Sequence, residues 1–254
     1  MKKLIPFCVL LIAFIPFSFS QISNSEKSAL VDIYASLNGE NWTNSWDLNA
    51  DVSNWNGVTI ENDVVTAIKL PMNNLVGELP TSIKDLTHLK TLNLGFNKIT
   101  GNIPNEICEL VSLENLELFM NQIEGKLPTN IGNLSNLKNL VLYNNFLTGN
   151  LPSSLYNLQN LEVLHISSNT LSGTIDSQIK NLKNLQILSL FDNILSGVLP
   201  AEIGLLKNVK EISLANNMFN GKVPAEINNL KNIKTLFISN NQFDTNPITQ
   251  IGID

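Results

Sequence analysis

The chain of 254 residues contains no arginine; all 16 basic residues are lysines. Recognition of phosphate or guanine usually relies on the bidentate arginine fork. With 22 acidic residues, a net charge of −6 and a pI near 5.0, the chain is a poor partner for nucleic acid. Anionic membrane surfaces should repel it. Cysteine is almost as scarce, with Cys8 and Cys108 alone. The two histidines, His88 and His165, are 77 residues apart (165 − 88 = 77) and cannot share a site. There is no glycine-rich phosphate loop, no paired-cysteine metal pattern and no serine elbow. These absences predict a chain that is not an enzyme and uses no cofactor or metal. Charged residues make up only 15%, so much of the polar surface must be neutral, and asparagine is overused.

The N-terminus reads as a signal peptide over residues 1–20. Lys2 and Lys3 precede an apolar run, Leu4 to Phe17, interrupted by Pro6 and Pro16. Ser18 and Ser20 put small residues at the −3 and −1 positions of a cleavage site before Gln21. The run is short for a span of about 20 residues, and no later segment could cross a membrane. The expectation is a mature protein that is soluble and secreted or held at the cell surface. Cys8 leaves with this segment, so Cys108 stays unpaired, as a small buried residue.

Asparagine recurs at 73, 97, 121, 145, 169, 193, 217 and 241, each step 24 residues (97 − 73 = 24). Glycine follows four residues later at 77, 101, 125, 149, 173, 197 and 221. Proline follows seven residues after the asparagine at 80, 104, 128, 152, 200 and 224, with Asp176 as the exception. Apolar residues keep the same phase: Leu89, Leu92, Leu94, Ile99, Ile103, Ile107 and Leu110 in the second copy, Leu113, Leu116, Leu118, Ile123, Leu127, Ile131 and Leu134 in the third. Leu-x-Leu alternates with period two, so each copy should supply one short strand. Stacked copies form a parallel sheet with strands about 4.8 Å apart. The asparagine amide, both donor and acceptor, can satisfy backbone groups of adjacent coils. The proline can begin a short helical turn. No copy buries its apolar face alone, so stacking must do so.

The pattern LxxLxLxxNxLxGxIPxxIxxL, running from about Val65 to Phe243, resembles the plant-type leucine-rich repeat. The resemblance implies an α/β solenoid: a right-handed superhelix with a parallel β-sheet on its concave face and an N-terminal helical cap. The expected organisation is a cap over 21–63, a solenoid of seven full repeats and a partial eighth over 64–243, and a short tail over 244–254. Relatives of this class include receptor ectodomains and inhibitors of cell-wall-degrading enzymes.

A solenoid needs its ends covered. Ser23-Asn24-Ser25-Glu26 matches a helix capping box. Leu30, Ile33, Tyr34 and Leu37 follow at helical spacing, and Gly39 is the predicted stop. Trp42, Trp46 and Trp55 come next. The family's cap carries a Cys-x-Trp-x-Gly-Val-x-Cys stretch; here Ser53 and Ile60 stand in place of the cysteines around Trp55, Gly57 and Val58. Tryptophan packing should therefore hold the cap without a disulfide. At the other end, Thr245 and Pro247 break the pattern and only Ile248 to Asp254 remain. An uncapped last repeat could pair end to end with another molecule.

Function then falls to the variable positions that flank the strand leucines and form columns across the concave face. One column reads Pro71, Gly95, Phe119, Tyr143, Ser167, Phe191, Ala215, Ser239; the next reads Met72, Phe96, Met120, Asn144, Ser168, Asp192, Asn216, Asn240. A third, between the leucines, reads Lys69, Asn93, Glu117, Val141, His165, Ser189, Ser213, Phe237. Exposed aromatic and apolar clusters mark contact surfaces. Met72, Phe96, Phe119, Met120, Tyr143 and Phe191 are accordingly the candidate ligand-binding residues, for a protein or polysaccharide partner. Lys126 is taken to lie on the convex side. Two alternatives are a structural or adhesive spacer, and binding to ice or a crystal surface through Val76, Thr100, Glu124, Thr148, Ser172, Ser196 and Asn220. Asn41 and Asn133 head glycosylation sequons. The lysine-, asparagine- and isoleucine-rich composition points instead to an AT-rich bacterial gene.

Overall fold

The computed structural model describes residues 22–244. Residues 1–20, expected to be a signal peptide, Gln21 and all of the tail beyond Asp244 lie outside the described residues. Among those described, no helix is long and apolar enough to cross a membrane.

The cap opens with a helix, Asn24–Ser36. Ser23 Oγ accepts from the Glu26 amide at 3.2 Å, and Ser23 N–H donates back to Glu26 Oε2 at 3.1 Å. The other oxygen of the buried Glu26 accepts from Val65 N–H at 2.9 Å. One capping residue thus ties the helix to the first strand of the solenoid. Gly39 does not end this helix. The helix stops at Leu37, and Asn38 takes the left-handed conformation (φ 60°), which asparagine tolerates through its short polar side chain. Gly39 answers a different need: a Cβ there would sit 2.2 Å from the Tyr34 ring.

The three tryptophans form one packed column. Trp42 and Trp46 meet edge to face at 5.0 Å, and Trp46 stacks on Trp55 at 4.8 Å. All three are buried. Each indole N–H donates to a backbone carbonyl, of Leu37, Asn56 and Asp47 respectively. No ring face is left for a sugar. A hairpin follows, Val58–Glu61 against Val64–Lys69. Its two turn residues, Asn62 and Asp63, both have positive φ, as the tight turns that match strand twist require.

Val58–Glu61 is the antiparallel edge of a nine-stranded central sheet, and Val64–Lys69 begins its parallel part. Parallel strands continue through Thr91–Asn93, Asn115–Glu117, Asn139–Val141, Val163–His165, Ile187–Ser189 and Glu211–Ser213 to Thr235–Phe237. The register steps by one 24-residue repeat at each pair, as in Leu92↔Leu116↔Leu140. These leucines are fully buried. The expectation of one strand per copy falls short, because a second, flanking set of strands runs beside the central sheet. Val76–Glu78 pairs with Lys98–Thr100; Glu124–Lys126, Phe146–Asn150 and Thr170–Ser172 form a second group; Ser196–Val198, Met218–Gly221 and Gln242–Phe243 form a third. Ile194 N–H donates to Leu171 O at 2.9 Å, joining the last two groups. Each coil gives this flank a single buried apolar residue two positions before its glycine, which in some copies (Leu75, Ile123, Leu195) lies just ahead of the strand, too few for periodicity to show. Thr148 and Thr170 strengthen it by donating to carbonyls one coil back, at 3.1 and 3.0 Å. Lys126 belongs to this flank and not to the convex row.

The convex side is a row of 3₁₀ turns, mostly of five residues, such as Asn105–Glu109 and Ala201–Leu205, with the shorter Ile131–Asn133 among them. The repeated proline is the last extended residue before the five-residue turns. Asp176, the exception, caps Ser177–Asn181 with its carboxylate, which accepts from Gln178 N–H at 2.7 Å. The repeated asparagines form the expected ladder. Asn145 Oδ1 accepts from Ile123 N–H, and its amide donates to Leu118 O and Leu142 O, all at 3.0 Å. A second asparagine ladder escaped the sequence reading: Asn136, Asn160, Asn184, Asn208 and Asn232 each donate to a carbonyl 25 residues earlier, at 2.8–2.9 Å.

Cys108 is buried and free, and burial pushes its thiol up to about 11. An alkylating reagent at pH 8 is expected to leave it unmodified in the folded protein and to label it fully in denaturant. Reductant should not change the melting temperature. Rapid labelling without denaturant would show that the second and third coils open locally.

Candidate functional site

The central strands present their non-leucine residues on the concave face. At its middle, three rings from successive coils line up. Phe119 and Tyr143 stack at 5.0 Å with an interplanar angle of 11°, and Tyr143 and His165 stack at 4.4 Å and 22°. Tyr143 therefore has both faces covered. Phe119 lies over Gly95, where a Cβ would come within 2.4 Å of the ring. The missing side chain in the second coil is what seats the ring of the third. All three rings are half-buried. Aromatic pairs of this geometry contribute about 0.5–1.5 kcal/mol beyond their burial, so the row is held rigidly.

Polar groups fix its surroundings. Asn93 Oδ1 accepts from Gly95 N–H at 3.1 Å, and the Asn93 amide donates to Glu117 at 2.6 Å. Burial raises the Glu117 carboxyl above its ordinary range, with Lys69 and Asn93 acting in the opposite direction. Burial lowers His165 below the usual histidine range and so favours its neutral form. Beyond it, Ser167 and Ser189 share a buried hydrogen bond of 2.7 Å.

The structure divides the six candidate residues. Phe119 and Tyr143 are the core of the row. Met72, Phe96 and Met120 sit where the chain leaves the central sheet, all in the left-handed region with φ of 51–57°. Met72 and Phe96, 67% and 51% exposed, line a shallow pocket of about 280 Å³ with Thr43, Asn74, Asn97 and Lys98, against the cap. Phe191 stands one repeat beyond His165, past the small Ser167. His165 was missed as a candidate. Its neighbour in the row belongs to a different column, so a reading along columns does not pair them. Among the described residues, no cluster of histidine, cysteine or acidic side chains could hold a metal ion.

The leucine-rich repeat region profile matches residues 69–167 and 104–241, more than half of the chain. The chain belongs to the leucine-rich-repeat family. It resembles the ectodomain of the receptor kinase GASSHO1/SCHENGEN3 from Arabidopsis thaliana, solved in complex with CASPARIAN STRIP INTEGRITY FACTOR 2. The two are 33% identical with a TM-score of 0.82, over 86% of this chain and 27% of that one. The PEPR1–AtPEP1 structure is 32% identical at a TM-score of 0.82, over 87% of this chain and 32% of that one. A probable inactive receptor kinase of Arabidopsis thaliana is 34% identical over 90 residues, 35% of this chain and 13% of the relative. The chain thus spans about a third or less of the length of these relatives. A plant ice-binding protein shares the fold at a TM-score of 0.74 and 24% identity.

Proposed function

We propose that this leucine-rich-repeat protein is a non-catalytic recognition module that binds a protein segment across its concave face, outside the cytoplasm. The Phe119–Tyr143–His165 row carries the reading. It is rigid, and its rings are not required to fill the leucine core. Two of the similar structures were solved with partners, CASPARIAN STRIP INTEGRITY FACTOR 2 and AtPEP1, and a protein partner here is consistent with them. The row also favours protein over polysaccharide. Sugar stacking needs an open ring face, and Tyr143 has none. Ice or crystal binding is less well supported: Glu124 interrupts the Thr/Ser column, and Phe146, Ile194, Val198 and Met218 project from the flank.

A peptide display library panned on the full chain supplies binders for the test. Tyr143→Ala is expected to weaken them by about 2 kcal/mol, roughly thirtyfold. Asn157→Ala, exposed on the convex row, should leave affinity unchanged. Binders indifferent to Tyr143→Ala, or saturable glycan binding on the same face, would overturn the reading.

A further inference from the structure

The outer edge of the solenoid, where the 3₁₀ row turns back toward the central sheet, changes character along its length. The position after the last turn leucine is Thr87, Val111, Ser135 and Gln159 in the first four copies. It is Lys183, Lys207 and Lys231 in the next three. Lys180 joins them from its 3₁₀ turn, and all four lysines are exposed. Among the described residues, none of the four lies within ion-pair distance of a carboxylate; the pairs present are Lys90–Glu61 and Lys138–Glu114. The acidic residues of these turns, Asp176, Glu202 and Glu226, lie at their N-terminal ends, and the Asp176 carboxylate is occupied by Gln178 N–H at 2.7 Å. In a chain of net charge −6, this is a cationic strip against the overall balance.

The strip has a floor and a fixed spacing. A pocket of about 640 Å³ opens between two successive turns, lined by Lys180, Asn181, Lys183, Leu205, Lys207 and Asn208. Leu205 is 51% exposed. The matching residues elsewhere are Asp85, Glu109, Asn133, Asn157, Asn181 and Asn229, all polar. The outer asparagine ladder pins the backbone beneath, since Asn208 and Asn232 donate to the carbonyls of Lys183 and Lys207 at 2.8 Å. The backbones of the three lysines therefore recur once per coil, with successive coils roughly 5 Å apart, and carry their ammonium groups on flexible stems beside an apolar surface.

We infer that this edge of the fifth to seventh repeats docks a linear acidic polysaccharide. Charge complementarity is the main argument: regularly recurring lysines match a polymer with one carboxylate or sulfate on each sugar. Exposed lysines without an arginine fork do not enclose a single phosphate, but they do suit a chain of anions. Leu205 gives the C–H face of a sugar ring an apolar seat. The site is separate from the concave row, so each can be tested without the other.

The full chain is titrated with sodium alginate at low salt, with neutral dextran and double-stranded DNA of equal charge in parallel. The expected result is saturable binding to alginate, weakened by added salt, and none to dextran. Each Lys→Gln change at 183, 207 or 231 should weaken alginate binding about fivefold, roughly a hundredfold for the triple variant. Leu205→Asn should weaken it further at constant charge, and Tyr143→Ala should not alter it. Melting curves of the variants, matched to the parent, show that the fold persists. The inference is overturned by no binding at low salt, by binding that the triple variant retains, or by DNA binding tighter than alginate.

Discussion

Trp46→Ala is expected to cost about 3–5 kcal/mol, as truncation of a buried aromatic typically does. For a chain of this size, that corresponds to a fall in melting temperature of roughly 10 °C. Trp46 is the middle of the cap: it meets Trp42 edge to face, stacks on Trp55, and approaches Tyr34 at 6.1 Å. Its indole N–H also holds the Asn56 carbonyl at 2.8 Å. Alanine would leave a cavity with three aromatic walls and an unmatched carbonyl. The cap covers the first coil, so its loss exposes apolar surface at Ile68 and Leu70 and should promote unfolding from that end. Trp46→Phe keeps much of the volume and should recover more than half of the loss. A melting temperature within error of the parent would mean that the cap is not what stabilises the N-terminal end. Hydrogen exchange would locate the change, with protection lost first over the cap strands.

Asn145→Leu should be nearly as damaging, and for a polar reason. Leucine has a similar size, so packing alone predicts little change. What it removes is one acceptor and two donors from the centre of the stack. Leu118 O and Leu142 O each keep a second asparagine partner, Asn121 and Asn169. Ile123 N–H has no replacement and would be left unmatched at a buried residue. An unmatched buried donor costs about 1–3 kcal/mol, and each lost hydrogen bond adds about 0.5–1.5, for a total near 3 kcal/mol. Asn184→Leu on the outer ladder is the control. Its single bond, to Gln159 O, is exposed, and substitutions at such sites usually fall within about 0.5 kcal/mol. Equal effects at the two positions would remove burial as the explanation for the inner ladder.

Most of the fold was legible because the repeat is redundant. The same requirement, a buried leucine or a satisfied carbonyl, is written eight times at one spacing, so Leu92, Leu116 and Leu140 identify each other. The candidate site was legible only in part. Phe119 and Tyr143 stood out as aromatics in a single column. His165 did not, because its ring reaches Tyr143 diagonally, from another column in the next coil. Lys126 was misplaced for a related reason: the flanking strand Glu124–Lys126 is three residues long and holds no buried side chain, which leaves no period to read.

The linear sequence by itself determined the 24-residue period, the inner asparagine ladder and the capping box at Ser23. These depend on residue type and on spacing along the chain, and both are explicit there. The tertiary structure alone decided which side chains meet between coils. It set Phe119 over Gly95, closed both faces of Tyr143, and aligned Lys183 with Lys207 beside Leu205. Such meetings depend on twist, on rotamer and on what the neighbouring coil leaves empty. A periodic sequence states those conditions for one coil at a time, and only stacking combines them.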